Sequence, residues 1–365
     1  MRLASRMQHL GTETAFVVLA KARALEAQGR DIVHLEIGEP DFDTPTHIIE
    51  AAVTALYQGY THYGPSAGLP ELRAVIAEQA GKERGLSFTR EQVVVTPGAK
   101  PIMFYVIMAL VGEGDEAIYP NPGFPIYESM INFMGGKAVP IPLCEENDFR
   151  LEVGELESLI TPRTRLLIIN SPQNPTGGVL TPADLEAIAR LAVKHDIPVL
   201  TDEVYKHFIY EGEFKSIASY PGMAERSIIL DGHSKTYAMT GWRLGFGIMP
   251  PDLADQVTRL QTNAVSCTAT FTQRAGLAAL TGPQDSVKVM VNEFKRRRDL
   301  IVNGLNQIKG IRCRNPKGAF YVFPNITGTG KTSRFMEEYL LNEAGVAVLS
   351  GTAFGEYGEG FLRLS

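Results

Sequence analysis

Cysteine is scarce in this chain of 365 residues. Its three cysteines, Cys144, Cys267 and Cys313, stand far apart with no C-x-x-C pair. That argues against a disulfide framework or a cysteine zinc site, so no metal is expected, and it fits a reducing, cytoplasmic setting. A basic block is also missing. Lys and Arg number 35 against 41 Asp and Glu, a net charge of −6 spread along the chain, so there is no footprint for nucleic acid or another polyanion. Long apolar runs are missing as well. The most apolar segment, "PIMFYVIMALV" from Pro101 to Val111, is too short to span a bilayer, and "MRLASRMQHL" has no apolar signal-peptide region. Neither export nor a membrane is indicated. What remains is a chain without repeats or low-complexity tracts, 44% apolar, long enough for one large domain and a smaller one.

The chain opens with a helical pattern. In "TAFVVLAKARALEAQ" (14–28), Phe16, Val17, Ala20, Ala24 and Leu25 recur at helical spacing before Gly29, which predicts an amphipathic helix with a glycine stop. Short β-rich runs then alternate with helix-like segments such as "PADLEAIARLAVKHD" (182–196). The runs are "QVVVT" (92–96), "EAIYP" (116–120), "RLLIIN" (165–170), "IPVLTD" (197–202) and "SIILD" (227–231). This order predicts an α/β fold in which helices sandwich a mainly parallel sheet. From about Asp285 a long charged helix leads to "GAFYVFP", a further helix, and the strands "VAVLS" and "FLRLS". The expected division is an N-terminal segment (1–44) folded onto a small α+β domain (285–365), with a large domain (45–284) between. Open parallel sheets bind ligands beyond the carboxyl ends of their strands, so polar residues there are the candidates.

Four strand ends carry such residues, and each alone has an ordinary explanation. "VVVTPGAKP" sets Pro97, Gly98 and Ala99 before a helix, either a tight turn or a set of free N–H groups at a positive dipole end that suits a phosphate. Asn170 and Asn174 in "LIINSPQNPTGG" either close Asx-turns or donate to a ligand oxygen. Asp202 and Tyr205 follow an apolar strand, where an acid is often a helix cap. Lys235, in "IILDGHSKTYAMTGWR", taken alone is a solvated charge or a phosphate ligand. Their joint occurrence at one end of one sheet favours a single cofactor carrying a phosphate, a phenolic oxygen and a cationic ring nitrogen.

The ordered set "GEPDFDTP", "HYGPSAGLPELR", "NSPQNPTGG", "TDEVY", "SKTYAMTGWRLG" and "GAFYVFP" resembles the class I/II pyridoxal-phosphate aminotransferases, with the fold of aspartate aminotransferase (fold type I). The likeness runs colinearly from about residue 3 to the last. It implies that Lys235 forms the Schiff base with pyridoxal 5'-phosphate and then moves the substrate Cα proton. Asp202 would keep the pyridine nitrogen protonated, and Tyr205 and Asn174 would donate to the phenolic oxygen. The phosphate would rest on the backbone at Ala99 and Lys100, with Arg243 as a charge-assisted partner and Ser234 adding a hydroxyl. Gly232 stands where some relatives carry a phosphate-binding serine. Phe124 matches an aromatic over the ring, read otherwise as core. Tyr63 resembles a tyrosine that reaches the neighbouring subunit's phosphate, which implies a homodimer. Arg363 matches the arginine that grips the substrate α-carboxylate, with the Gly38 backbone beside it.

Relatives usually continue past the "RLS" strand into a final helix, whereas this chain stops at Ser365, so a small domain without that helix is expected. Lys100 resembles a lysine that in some aspartate-using relatives reaches the side-chain carboxylate, which points to aspartate with 2-oxoglutarate as acceptor. The other reading of Lys100 is a helix-start lysine facing solvent or phosphate. Alanine, aromatic or broader donors stay open, as does β-elimination by a carbon–sulfur lyase. A cofactor-sensing regulatory domain on the same fold would carry an added helix-turn-helix segment, for which the sequence leaves no room.

Overall fold

Runs of Val, Ile and Leu bounded by turn residues become strands in the computed structural model, which describes residues 2–365. In chain order these are β1 (Val33–His34), β2 (Val93–Thr96), β3 (Glu116–Asn121), β4 (Lys137–Pro142), β5 (Thr164–Asn170), β6 (Val199–Asp202), β7 (Ser227–Gly232), β8 (Gly245–Ile248), β9 (Val346–Ala347), β10 (Leu349–Ser350) and β11 (Leu362–Arg363). Seven of them form one mixed sheet in the order β2-β8-β7-β6-β5-β3-β4. β3, β4, β5, β6 and β7 pair in parallel. β8 runs antiparallel to both its neighbours, β2 and β7. The sequence pattern predicts neither β4 nor β8. β4 contains Pro140 and Pro142, which strands tolerate at a sheet edge, where it lies.

The sheet is buried on both faces because its strands are apolar at consecutive positions. Leu166 and Ile168 of β5 join the core under helices Lys100–Leu110, Ile126–Phe133 and Pro251–Val265. Leu167 and Ile169 face the opposite core with helix Pro182–His195. That helix begins with a capping box: Thr181 Oγ1 accepts from Asp184 N at 3.2 Å, and Asp184 Oδ2 accepts from Thr181 N at 2.8 Å.

The N-terminal helix, Ala15–Glu26, corrects one expectation. Its buried residues are Val18 and Ala22, not the predicted Phe16 and Val17, which are 61% and 51% exposed. Two apolar rows compete on this helix, and the one starting at Ala15 is the one that meets Ile32, Leu341, Ala347, Leu349 and Phe354 in the core. β1 pairs in parallel with β9, and β10 pairs antiparallel with β11. The chain's two ends are thereby joined. The long helix Asp285–Leu305 presents Phe294, stacked on Phe320 at 4.9 Å, in a cluster that includes Phe208, Tyr205 and Tyr321. Core packing thus runs from the C-terminal segment to the carboxyl end of β6.

Candidate active site

A cavity of about 530 Å³ opens beyond the carboxyl ends of β5, β6 and β7. Asn170, Asn174, Asp202, Tyr205, Ser234, Lys235 and Arg243 all line it, with Gly38, Ala99, Lys100, Phe124 and Arg363 from other segments. The structure therefore gathers every candidate except Tyr63. That side chain is 88% exposed and does not reach the cavity of its own chain.

The floor is built on rigid strand ends. Asp202, last in β6, is 6% exposed, and its Oδ2 accepts a hydrogen bond from the Tyr127 hydroxyl at 2.7 Å. Burial pushes its pKa up to about 6, against the pull of the Tyr127 donor. Among the described residues no cationic side chain pairs with it. Lys235, on the short helix His233–Thr236 after β7, donates from Nζ to the Gly38 carbonyl at 2.5 Å. Burial lowers its pKa to about 8, and Arg363 and Arg243 act in the same direction while Glu39 and Glu13 oppose it. Tyr205 and Tyr321 share a hydrogen bond, hydroxyl to hydroxyl, at 2.7 Å. Burial raises both phenols.

Arg363, in β11, is 4% exposed. Its Nη2 donates to the Glu36 carbonyl and its Nη1 to Asn174 Oδ1 at 3.5 Å, while Nε is buried with no hydrogen-bond partner among the described residues. Phe354 and Tyr321 flank the guanidinium at 5.1 and 4.8 Å. Burial lowers its pKa. A buried cation without a carboxylate and a buried carboxylate without a cation thus share one cavity. Each is costly unless a ligand completes it.

At the turn before helix Lys100–Leu110, the backbone leaves room for Arg243. Gly98 has φ +87°, and a Cβ there would strike the Arg243 guanidinium. Arg243 itself sits at φ 54° and donates from Nη1 to the Thr240 carbonyl at 2.8 Å. A Cβ on Gly232 would approach Gly245 Cα at 3.1 Å and the Leu244 carbonyl at 3.2 Å, so a serine at that position would need the backbone to shift. Phe124 lines the cavity and meets Tyr127 edge-on at 5.9 Å. Lys100 is part-exposed: its Nζ pairs with Glu13 and lies 5.3 Å from the Phe124 ring centroid.

Sequence reasoning missed Tyr127, Tyr321, Glu13 and the Glu36 carbonyl. Tyr127, in the first turn of helix Ile126–Phe133, follows Phe124 by three residues, and Tyr321 lies inside "GAFYVFP", so both were near recognised residues. Glu13 and Glu36 are joined to the site only by the folded chain.

Donors for a phosphate, a buried unpaired acid and a half-buried lysine with a lowered pKa fit pyridoxal phosphate. The fold is that of aspartate aminotransferase: the Thermus thermophilus enzyme with maleate aligns with a TM-score of 0.95 and 40% identity, over 100% of this chain and 95% of that one. The family model "Aminotransferase class I and II" matches residues 30–365. The chain belongs to this family, and it is a pyridoxal-phosphate-dependent aminotransferase acting on amino acids and 2-oxo acids. It is 47% identical to an aspartate aminotransferase of Pyrococcus abyssi, over 92% of this chain and 87% of that one. It is 43% identical to aromatic-amino-acid aminotransferase 2 of Thermococcus litoralis, over 100% of this chain and 94% of that one. Among the described residues no helix is long and apolar enough to cross a membrane, and no group of three or more His, Cys, Asp or Glu could hold a metal ion.

Proposed function

We propose that this aminotransferase takes both dicarboxylic and large apolar amino donors, aspartate and aromatic amino acids among them, with 2-oxoglutarate as acceptor. The observation that carries the site assignment is the pair of unsatisfied buried charges. Asp202 calls for a cationic ring nitrogen and Arg363 for an α-carboxylate, and both face one cavity. When bound, pyridoxal phosphate supplies an aldehyde that captures amines and a ring that accepts electrons.

The chain's own residues do the rest. Lys235 Nζ, with its pKa drawn down to about 8, is neutral in a substantial fraction of molecules near that pH. It can therefore capture the aldehyde and later carry the substrate Cα proton. The Asp202 carboxylate would hold the ring nitrogen's proton. Tyr205 and Asn174 would donate to the phenolic oxygen, and the hydrogen bond shared by the Tyr321 and Tyr205 hydroxyls holds that phenol in place. The backbone at Ala99 and Lys100, with Ser234 and Arg243, would hold the phosphate, and Phe124 would cover the ring. Arg363 and the Gly38 backbone orient the α-carboxylate, which brings the Cα–H bond towards Lys235.

Donor breadth rests on the lining of the cavity, which combines Lys100, 5.3 Å from the Phe124 ring, with Phe16, Leu19 and Ile37. A lysine suits a distal carboxylate, and the apolar wall suits a ring. A homodimer completes the reading. Ile49, Val53, Leu56 and Tyr57 form an exposed apolar row on helix Thr46–Tyr57, and the exposed Tyr63 would reach the partner's phosphate. A cytoplasmic setting accords with the cysteine usage.

The test is a half-reaction titration. Aspartate, phenylalanine, alanine and a cysteine conjugate are added separately to the cofactor-loaded protein while its absorbance is followed. Conversion to the amine form of the cofactor by both aspartate and phenylalanine is expected. Conversion by only one removes the broad specificity, and release of pyruvate and ammonia from the cysteine conjugate alone would favour the lyase.

A further inference from the structure

The donor-binding end of the cavity already contains a carboxylate. Glu13 lies in the turn just before helix Ala15–Glu26, two residues after Gly11, whose N–H donates to Ser129 Oγ at 2.8 Å. Its Oε1 accepts from Lys100 Nζ, so Lys100 has its charge met before any substrate arrives. The pair is only partly shielded, with side-chain exposures of 39% for Lys100 and 20% for Glu13. An ion pair open to water is weak enough to exchange partners. Neither group is pinned by a second ion pair among the described residues.

We infer that Glu13 is a specificity-determining residue: its carboxylate competes with the distal carboxylate of a dicarboxylic substrate for Lys100. This rests on the reading of Lys100 as the side-chain anchor. With the pair closed, the subsite is net neutral and, walled by Phe16, Leu19 and Phe124, takes apolar or aromatic side chains without burying an unpaired ammonium. When aspartate, glutamate or 2-oxoglutarate enters, its distal carboxylate replaces that of Glu13 on Lys100, and Glu13 turns out to water through the exposed side of the pair. Charge is conserved in the exchange. A ping-pong enzyme must seat a neutral donor and a dicarboxylic acceptor in the same cavity by turns, and an internal substitute for the absent carboxylate lets one subsite do both. The dicarboxylate is bound more weakly as a result, since it must displace Glu13.

The experiment compares the wild-type holoenzyme with Glu13→Gln and with the double variant Glu13→Gln, Lys100→Met. Calorimetry measures the Kd of maleate, a dicarboxylate that cannot react, and steady-state kinetics give the ratio of kcat/KM for aspartate to that for phenylalanine. Glu13→Gln is expected to tighten maleate binding about five-fold, the scale of a half-exposed ion pair, and to raise the aspartate-to-phenylalanine ratio by a similar factor. The gain should vanish in the double variant. Unchanged or weaker maleate binding in Glu13→Gln overturns the inference, as does a gain that survives the loss of Lys100. If the wild-type protein transaminates no donor, the functional reading fails by itself, while the maleate titration still decides the exchange at Lys100.

Discussion

The floor and the rim of this cavity are built in opposite ways. The floor groups lie at a strand end (Asp202), in the turn after it (Tyr205), on a short helix (Lys235) and in β11 (Arg363); all but the half-buried Lys235 are buried, and the pKa of each is displaced by the loss of water. The rim groups, Glu13 and Lys100, are part-exposed and meet in an ion pair. Burial makes a charge strong, specific and costly, whereas exposure makes it weak and adjustable. Under the proposed function, chemistry common to every substrate would fall to the floor, and recognition of two kinds of side chain to the rim.

Breaking the floor should have the largest effect. Lys235→Ala is expected to slow the aspartate half-reaction about 10⁴-fold or more, because both covalent capture and proton transfer are lost. A single-turnover absorbance trace checks this, and a rate near wild type would remove Lys235 from the mechanism. Next is Arg363→Lys, which keeps the charge but not the planar fork. kcat/KM should fall about 100-fold for every donor while cofactor binding persists. A loss confined to dicarboxylic donors would instead place Arg363 at the side-chain end.

A smaller effect tests the cost of the floor itself. In the cofactor-free protein Asp202 titrates at about 6, up from 3.8, so between those values the folded chain binds more protons than the unfolded one. The raised pKa means that this contribution to stability is present at low pH and is lost as pH rises through 6, by up to about 3 kcal/mol. Asp202→Asn should remove that loss. Urea unfolding of the two cofactor-free proteins at pH 4 and pH 7 measures it; the variant should gain on wild type only at the higher pH. The rim variant Glu13→Gln should show the least change, a few-fold shift in donor preference.

Legibility followed the same division. The floor residues lie within recognisable segments: Asp202 in "TDEVY", Lys235 in "SKTYAMTGWRLG" and Asn174 in "NSPQNPTGG". Strand ends are where a local pattern of apolar run and polar stop coincides with a functional position. β8 was not legible because Gly245 and Gly247 read as poor strand formers. The fold requires both, since a Cβ at Gly245 would strike the Ala99 backbone and one at Gly247 would crowd Ile102 and Met249. The buried face of helix Ala15–Glu26 was misread because apolar residues occupy more than one row, and only contact with the C-terminal segment selects between them.

The sequence by itself determined the α/β order of elements, the family and the positions of the chemical groups, because these follow from short-range periodicity and from motifs whose spacing is local. Only the tertiary structure decided which charges lack partners, which phenol rests on which, and that Glu13 meets Lys100 across 87 residues of chain. Burial and pairing depend on segments distant in sequence, and the strength of a charge depends on both.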